Sequence, residues 1–482
     1  MKNPTKLFCK IVNNKEYFEI LLLIALFFCI IFIQIISFIN PIINVDAAGY
    51  HLNVGRAAIR YGEVIYRDIF CPYTPLGILS NSSPYLFFNS PSYSLFLIPS
   101  IIAFWLNLFI FFGILKSFNL ETKLSGIFSL FLGILLLNFE ASFPLLELYV
   151  TLFAIFAFYL IRQNFLSNNT VYLFFAGVST FLAVWSKQNG LFILVSFLLY
   201  FLVIYKFKIA IKKYLWILFG FCIPLILAII YYSVILDNFS LSQLLHNIVF
   251  IDRSITVTGV GLNFRSVIMS LLYFFSRNIY FLFSIILFIK LHYKSKMLLA
   301  NGLMALSSFV VLFQAHYHHY FILIIPFALL FSILIYFNST YKIKKIFLIC
   351  FFISFMLLMK PLIGNIINFN KISKQRNDLY QEASKLSEVV PKGSKVFLFG
   401  DPRFYLLCEY RSVIPQKIGY SFYLNCKLEY IFNQIDNGGI FIIESSLIDK
   451  FLKSSYRNAF KFQNRIMIND EKFYEFYFKM SN

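Results

Sequence analysis

The sequence predicts an α-helical polytopic membrane protein of about eleven spans, with a small α/β domain at its C-terminal end on the extracytoplasmic side. Three observations predict it. Of 482 residues, 60% are hydrophobic and 20% aromatic, while only 13% are charged, against about a quarter in soluble domains. A water-facing surface has no place for 63 Phe and 31 Tyr; lipid does. Several runs also exceed the roughly 18 apolar residues that a spanning helix needs. Finally, Lys and Arg gather in alternate connections between those runs.

The first run, Ile20 to Ile39, follows a basic stretch and lacks a small-residue cleavage site. It is too long for a signal-peptide core and reads as an uncleaved span. Further spans are expected near 91–115, 124–139, 144–161, 171–186, 189–205 and 214–236. The series ends with 266–289, 297–314, 319–338 and 345–362. One set of connections carries Lys2, Lys6, Lys10 and Lys15; Lys116 and Lys123; Arg162; and Lys206, Lys208, Lys212 and Lys213. Lys290, Lys294 and Lys296, then Lys342, Lys344 and Lys345, complete it. Short basic loops mark the cytoplasmic face. The formal charge of +20 thus follows from topology and does not call for nucleic acid. The expected location is the plasma (inner) membrane, with the N-terminus cytoplasmic and the tail outside.

The other set holds the long loop 41–90, short turns near 138–143, 186–189 and 315–319, and the segment 237–265. From residue 364 the composition becomes mixed, so the expected domains are 1–363 and 364–482. Asp378 to Val389 has helical spacing, Pro391–Gly393 reads as a turn, and Lys395–Phe399 and Gly439–Ile443 read as strands. None of the seven cysteines stands in a C-x-x-C pair, which argues against a metal–thiolate site. Cys408 and Cys426 remain a candidate disulfide.

Chemistry concentrates on the exterior set. Asp46 follows the first span, where an acid is costly unless hydrated or paired; an ordinary helix cap over Ala47–Tyr61 is the plainer explanation. Arg56 and Arg60, at i and i+4, share one helix face and suit a phosphate group, or lipid headgroups. Asp68 and Tyr73 lie further along the same loop. Glu140 and Glu147 flank the start of the fourth span, where one could cap while the other faces a cavity. Lys187 stands alone in an exterior turn that the positive-inside rule disfavours, although a lone lysine can also snorkel. His316 and His319 belong to a three-histidine cluster; adjacent helix positions do not share a face, so a metal would need carboxylates from elsewhere. Asp252–Arg253 is explained as an exposed local pair.

Taken in order, these features resemble the GT-C superfamily of membrane glycosyltransferases, in the branch of protein O-mannosyltransferases and lipid A aminoarabinose transferases. The resemblance rests on Asp46 and the loop running to Tyr66-Arg67-Asp68 and Pro72–Pro75, and on Glu147 at the fourth span. It rests further on Gly177 through Lys187-Gln188-Asn189-Gly190, and on His319-Tyr320-Phe321 leading to Pro326. Asp46 lacks the adjacent Glu often found in the family, and His319 stands where many relatives carry Arg.

The resemblance implies inverting transfer of a sugar from a polyprenyl-phosphate donor to an acceptor hydroxyl on a glycan, lipid or protein. Asp46 would be the base, with Glu147 a second catalytic acid. Lys187, His319, His316, Arg56, Arg60, Asp68, Tyr73 and Glu140 would bind donor phosphate or substrate. No cofactor is required, although a divalent cation could be accommodated. Other classes stay open at this point: an O-antigen polymerase or ligase, or a transporter or flippase of lipid-linked sugars. The former usually carries its large exterior loop late in the chain, and the latter needs intramembrane charges along a pathway.

Overall fold

The computed structural model describes residues 15–45, 47–68, 73–138, 144–236, 242, 264–292, 295–309, 321–412, 440–448, 460–468 and 472–479. In chain order the helices are α1 (Lys15–Ile39), α2 (Leu52–Tyr61), α3 (Pro75–Ser82), α4 (Leu97–Ser117), α5 (Thr122–Asn138) and α6 (Leu146–Ser167). They continue with α7 (Val171–Ser186), α8 (Phe192–Ile204), α9 (Phe207–Ile235), α10 (Phe264–Arg277) and α11 (Ile279–Leu287). The series closes with α12 (Lys296–Ser308), α13 (Phe321–Phe337), α14 (Tyr341–Ile367), α15 (Phe369–Val389) and the short α16 (Arg403–Leu407). Among the described residues, each of the eleven expected spans overlaps helix.

The chain forms two compact units. Unit 1 comprises Met1–Ile39, Ser100–Ile230 and Leu262–Ile367; unit 2 comprises Asn40–Pro99, Tyr231–Gly261 and Asn368–Asn482. The long first loop thus groups with the C-terminal segment in unit 2.

Among the described residues, α1, Tyr93–Ser117, α6 and α9 are long and apolar enough to cross a membrane, and α5, α7, Gln188–Ile204 and α13 are shorter apolar helices. The expected span 266–289 is not one straight helix. It bends by 91° between Arg277 and Ile279, and the cause is local chemistry. Asn278 leaves helical geometry (φ −116°, ψ 54°); its amide donates to Phe274 O at 2.9 Å, and the Tyr280 hydroxyl donates to its Oδ1 at 2.9 Å. The bend puts Arg277 at a helix end, where it donates to Asn138 Oδ1 at 3.2 Å and lies 3.9 Å from the Tyr273 ring centre. An arginine inside a straight span would be far costlier.

Small residues permit a close crossing of α7 and α9. A Cβ on Gly177 of α7 would fall 2.0 Å from Ile217 O of α9, and one on Gly220 would fall 1.9 Å from Phe174 O. Glycines at such positions let two backbones touch, which is how packing replaces the missing hydrophobic drive in lipid. Basic residues of the set expected to be cytoplasmic hold helix ends: Lys116 donates to Leu120 O at 3.0 Å, buried Arg162 to Ser117 O at 3.0 Å, and Lys213 to Asn164 Oδ1 at 2.9 Å. Cations there complement unsatisfied carbonyls.

In unit 2 a five-stranded sheet has the order β2-β1-β3-β5-β4, with β1 Lys395–Phe399, β2 Arg411–Ser412, β3 Ile440–Glu444, β4 Phe460–Met467 and β5 Phe473–Lys479. β1 runs parallel to β2 and β3, while β5 is antiparallel to β3 and β4. The central strands read as continuous apolar runs because both faces are buried; β4, at the edge, is mostly exposed and carries Lys461 and Arg465. Helix α15 is tied to this layer. The Tyr474 hydroxyl donates to Glu382 at 2.7 Å, Lys385 donates to Ile468 O at 3.0 Å, and the Tyr410 hydroxyl donates to Leu386 O at 3.0 Å. Cys408 is a buried free thiol, so the candidate disulfide is not formed there; Cys426 lies outside the described residues.

Candidate functional site

The expected helix over Ala47–Tyr61 begins as a π-turn, Ala47–His51, and continues as α2. Its start is capped by Asn44, whose Oδ1 accepts from Ala47 N at 3.0 Å. Asp46 itself, like Glu140, His316, His319 and Asp252–Arg253, lies outside the described residues. Phe321, two residues beyond His319, stacks on Tyr273 of α10 with ring centres 6.0 Å apart.

Two of the expected site residues meet in unit 1. Glu147 sits in the first turn of α6, and Lys187 ends α7 in extended conformation (φ −163°, ψ 136°). The Lys187 ammonium donates to Glu147 Oε1, and the two side chains are 4% and 5% exposed. Local sequence explains this placement. The run of α7 stops at Ser186, and Gln188–Leu191 form a 3-10 turn before α8. Gly190 closes that turn because a Cβ there would lie 2.6 Å from the Ala183 carbonyl carbon. α6 is in turn anchored to α4, since buried Asn107 donates to Leu148 O at 3.3 Å and to Ala103 O at 2.8 Å. Ser179 of α7 donates to Phe153 O of α6 at 2.7 Å. An acid and a lysine are therefore held buried and in contact where two packed helices meet. In such surroundings a charge acts strongly on whatever anion approaches it.

The remaining described candidates belong to unit 2. Arg56 is 4% exposed; its Nη2 donates to Tyr405 O at 3.0 Å and also to Tyr410 O. Arg60 follows one turn later. Asp68 is engaged locally: Arg67 donates to it at 2.9 and 2.8 Å and Val64 N at 2.7 Å. The Arg67 hydrogen bonds hold its carboxyl below the usual range, against a smaller opposing effect of burial. Tyr73 accepts from the Tyr66 hydroxyl through its carbonyl at 2.7 Å, and its ring packs against His51 and Tyr50 at 5.4 and 6.1 Å.

Sequence reasoning missed four features. Arg277 was hidden inside an apolar run, and only the break at Asn278 reveals it. Tyr66 is buried with φ +78°, a strained state for an aromatic residue that no local motif announces. Arg411 pairs with Glu63 at 2.6 Å across 348 residues of chain. Glu409 adopts φ +56° beside Lys392, its ion-pair partner at 2.9 Å. Among the described residues no three His, Cys, Asp or Glu side chains gather as a metal site.

No family model matches the sequence, and no curated protein matches it. Solved structures do. ArnT from Cupriavidus metallidurans bound to undecaprenyl phosphate superposes with a TM-score of 0.60 at 9% identity, over 95% of this chain and 97% of that one. Its apo state gives 0.59 at 8% identity, over 89% and 93%. The oligosaccharyltransferase AglB from Archaeoglobus fulgidus, in complex with an inhibitory peptide and a dolichol-phosphate, gives 0.51 at 11% identity, over 90% and 70%. At these identities the likeness is one of fold: the chain shares the polytopic helical fold of these solved membrane enzymes.

Proposed function

We propose that the protein is a membrane glycosyltransferase that moves a sugar from a polyprenyl-phosphate donor to an acceptor hydroxyl on the extracytoplasmic face. The observation that carries this reading is the buried Glu147–Lys187 pair at the α6 and α7 ends, in a chain whose structural neighbours were solved with undecaprenyl phosphate or dolichol-phosphate. The acceptor oxygen attacks the anomeric carbon while the carbon–oxygen bond to the lipid phosphate breaks, inverting the configuration. The acceptor proton passes to Asp46, and polyprenyl phosphate departs as the leaving group. Lys187, oriented by Glu147, supplies positive charge as that phosphate develops its second negative charge. His319 and Arg277 are further donors for it; His316 lies just before His319 in sequence, and Glu140 lies just before Glu147.

A phosphate ester already leaves readily, so the step needs no metal, and a divalent cation would add to the same charge compensation. A flippase is less well supported, because the described spans lack the row of intramembrane charges that passage requires. The test is turnover. Protein in nanodiscs is given a panel of polyprenyl-phosphate sugars, and free polyprenyl phosphate is followed by mass spectrometry. Release with at least one donor supports transfer or its hydrolytic counterpart; a protein that moves intact donor between leaflets without cleaving it refutes the reading. Mass spectrometry of cell-surface glycans with and without the gene product then identifies the acceptor.

A further inference from the structure

Unit 2 contains a cavity of about 530 Å³, inside the range of roughly 300–1,000 Å³ typical of small-molecule sites. Its chemistry is mixed in a specific way. Arg56 and Arg60 of α2 and Lys392 supply three cations; Glu409 supplies one carboxylate; Tyr85 and Tyr380 supply ring faces and phenols. The net charge of these groups is +2, so the cavity suits an anion.

Structural pairing leaves this charge incompletely compensated. Arg56 spends Nη2 on two backbone carbonyls, while its Nε and Nη1 are buried without a hydrogen-bond partner, and so is Nε of Arg60. Buried donors are expensive to leave unpaired, and a guanidinium presents them in a fork that matches phosphate or carboxylate. The carboxylate narrows the ligand further. Glu409 is held in the left-handed region (φ +56°) by Gly393 N, which donates to its carbonyl at 3.2 Å. A strained residue beside a cavity is a recurring sign of binding. Glu409 would repel a bare anion, yet it accepts hydrogen bonds from hydroxyl groups. Asn89 and Ser90 add neutral polar contacts, and the tyrosine rings offer flat apolar faces. An excess of cations, one carboxylate already engaged by Lys392, neutral polar groups and aromatic walls together describe a sugar that carries an acidic group.

We infer that this cavity binds an anionic saccharide, meaning a sugar unit bearing a carboxylate or a phosphate. The inference does not rest on the transfer reading, because binding can be measured without turnover.

The experiment uses the full chain in nanodiscs and four probes: glucuronate, glucose 6-phosphate, glucose and inorganic phosphate. Binding is read by saturation-transfer NMR and calorimetry. At least one of the two acidic sugars binds at least tenfold more tightly than either glucose or inorganic phosphate, and which of them is tighter identifies the acidic group. Arg60→Gln, at a half-buried position, weakens that binding at least tenfold with an unchanged melting temperature, and Tyr380→Phe tests the phenol in the same assay. Glucose binding equally well, phosphate alone binding equally well, no binding by either acidic sugar, or full binding in Arg60→Gln would each overturn the inference.

Discussion

Glu147 and Lys187 are separated by forty residues in sequence and meet as an ion pair with both side chains at least 95% buried. Neutralising one partner of such a pair takes the buried counter-charge from the other, which costs about 3–5 kcal/mol. Glu147→Gln and Lys187→Met should therefore each lower stability by that order. The double variant should recover most of the loss while remaining inactive. Thermal unfolding of the three variants in detergent checks this, and a double variant no more stable than either single one contradicts it.

Where α7 crosses α9, Gly177 has no room for a side chain. Gly177→Val forces the helices apart, and overpacking of this kind costs about 1–3 kcal/mol. Gly364, inside α14, has nothing within 4 Å of an added Cβ. Gly364→Ala should leave stability unchanged or raise it by up to about 1 kcal/mol through helix propensity. Unfolding measurements on the pair separate close approach from a general intolerance of glycine replacement.

The bend at Asn278 depends on two side-chain hydrogen bonds. Asn278→Leu removes both and leaves the buried Tyr280 hydroxyl without this acceptor, at a cost of about 1–3 kcal/mol. Cysteine accessibility of residue 277 in that variant reports the geometry. Reduced labelling is expected if the break straightens and carries the position into lipid, whereas unchanged labelling and stability would remove the proposed cause of the bend.

Acid should weaken unit 2. Burial alone would raise the Glu409 carboxyl, but hydrogen bonds from Lys392 and Ser90 and the charges of Lys392 and Arg56 outweigh it and hold the group below its ordinary value of 4.5. Asp68 is likewise held below 3.8. A depressed folded-state value adds stability that is complete above the ordinary value and is lost as pH falls through the folded one. Melting temperature should thus fall as pH drops below about 4.5, and Glu409→Gln should flatten that dependence. An identical acid profile in wild type and variant would contradict the assignment.

The spans were legible because lipid demands long apolar runs, and a span's helix needs no tertiary partner to declare itself. Lys187 was legible for a related reason: a lone cation in a turn expected to face outward departs from a charge rule. Its contact with Glu147 was not, since only the packing of α6 on α7 brings them together. Arg277 escaped because hydropathy averages over a window and hides one charge among apolar neighbours. In unit 2 the strands Lys395–Phe399 and Ile440–Glu444 follow from local pattern. The cavity does not, because Arg56 and Glu409 stand more than 350 residues apart in sequence and no motif links them.

The account's central claim is chemical transfer with Asp46 as base. The most direct test compares wild type with Asp46→Asn for release of free polyprenyl phosphate from polyprenyl-phosphate sugars, alongside their melting temperatures. The account predicts turnover by the wild type and its loss in Asp46→Asn at unchanged stability. Full activity in Asp46→Asn would contradict it.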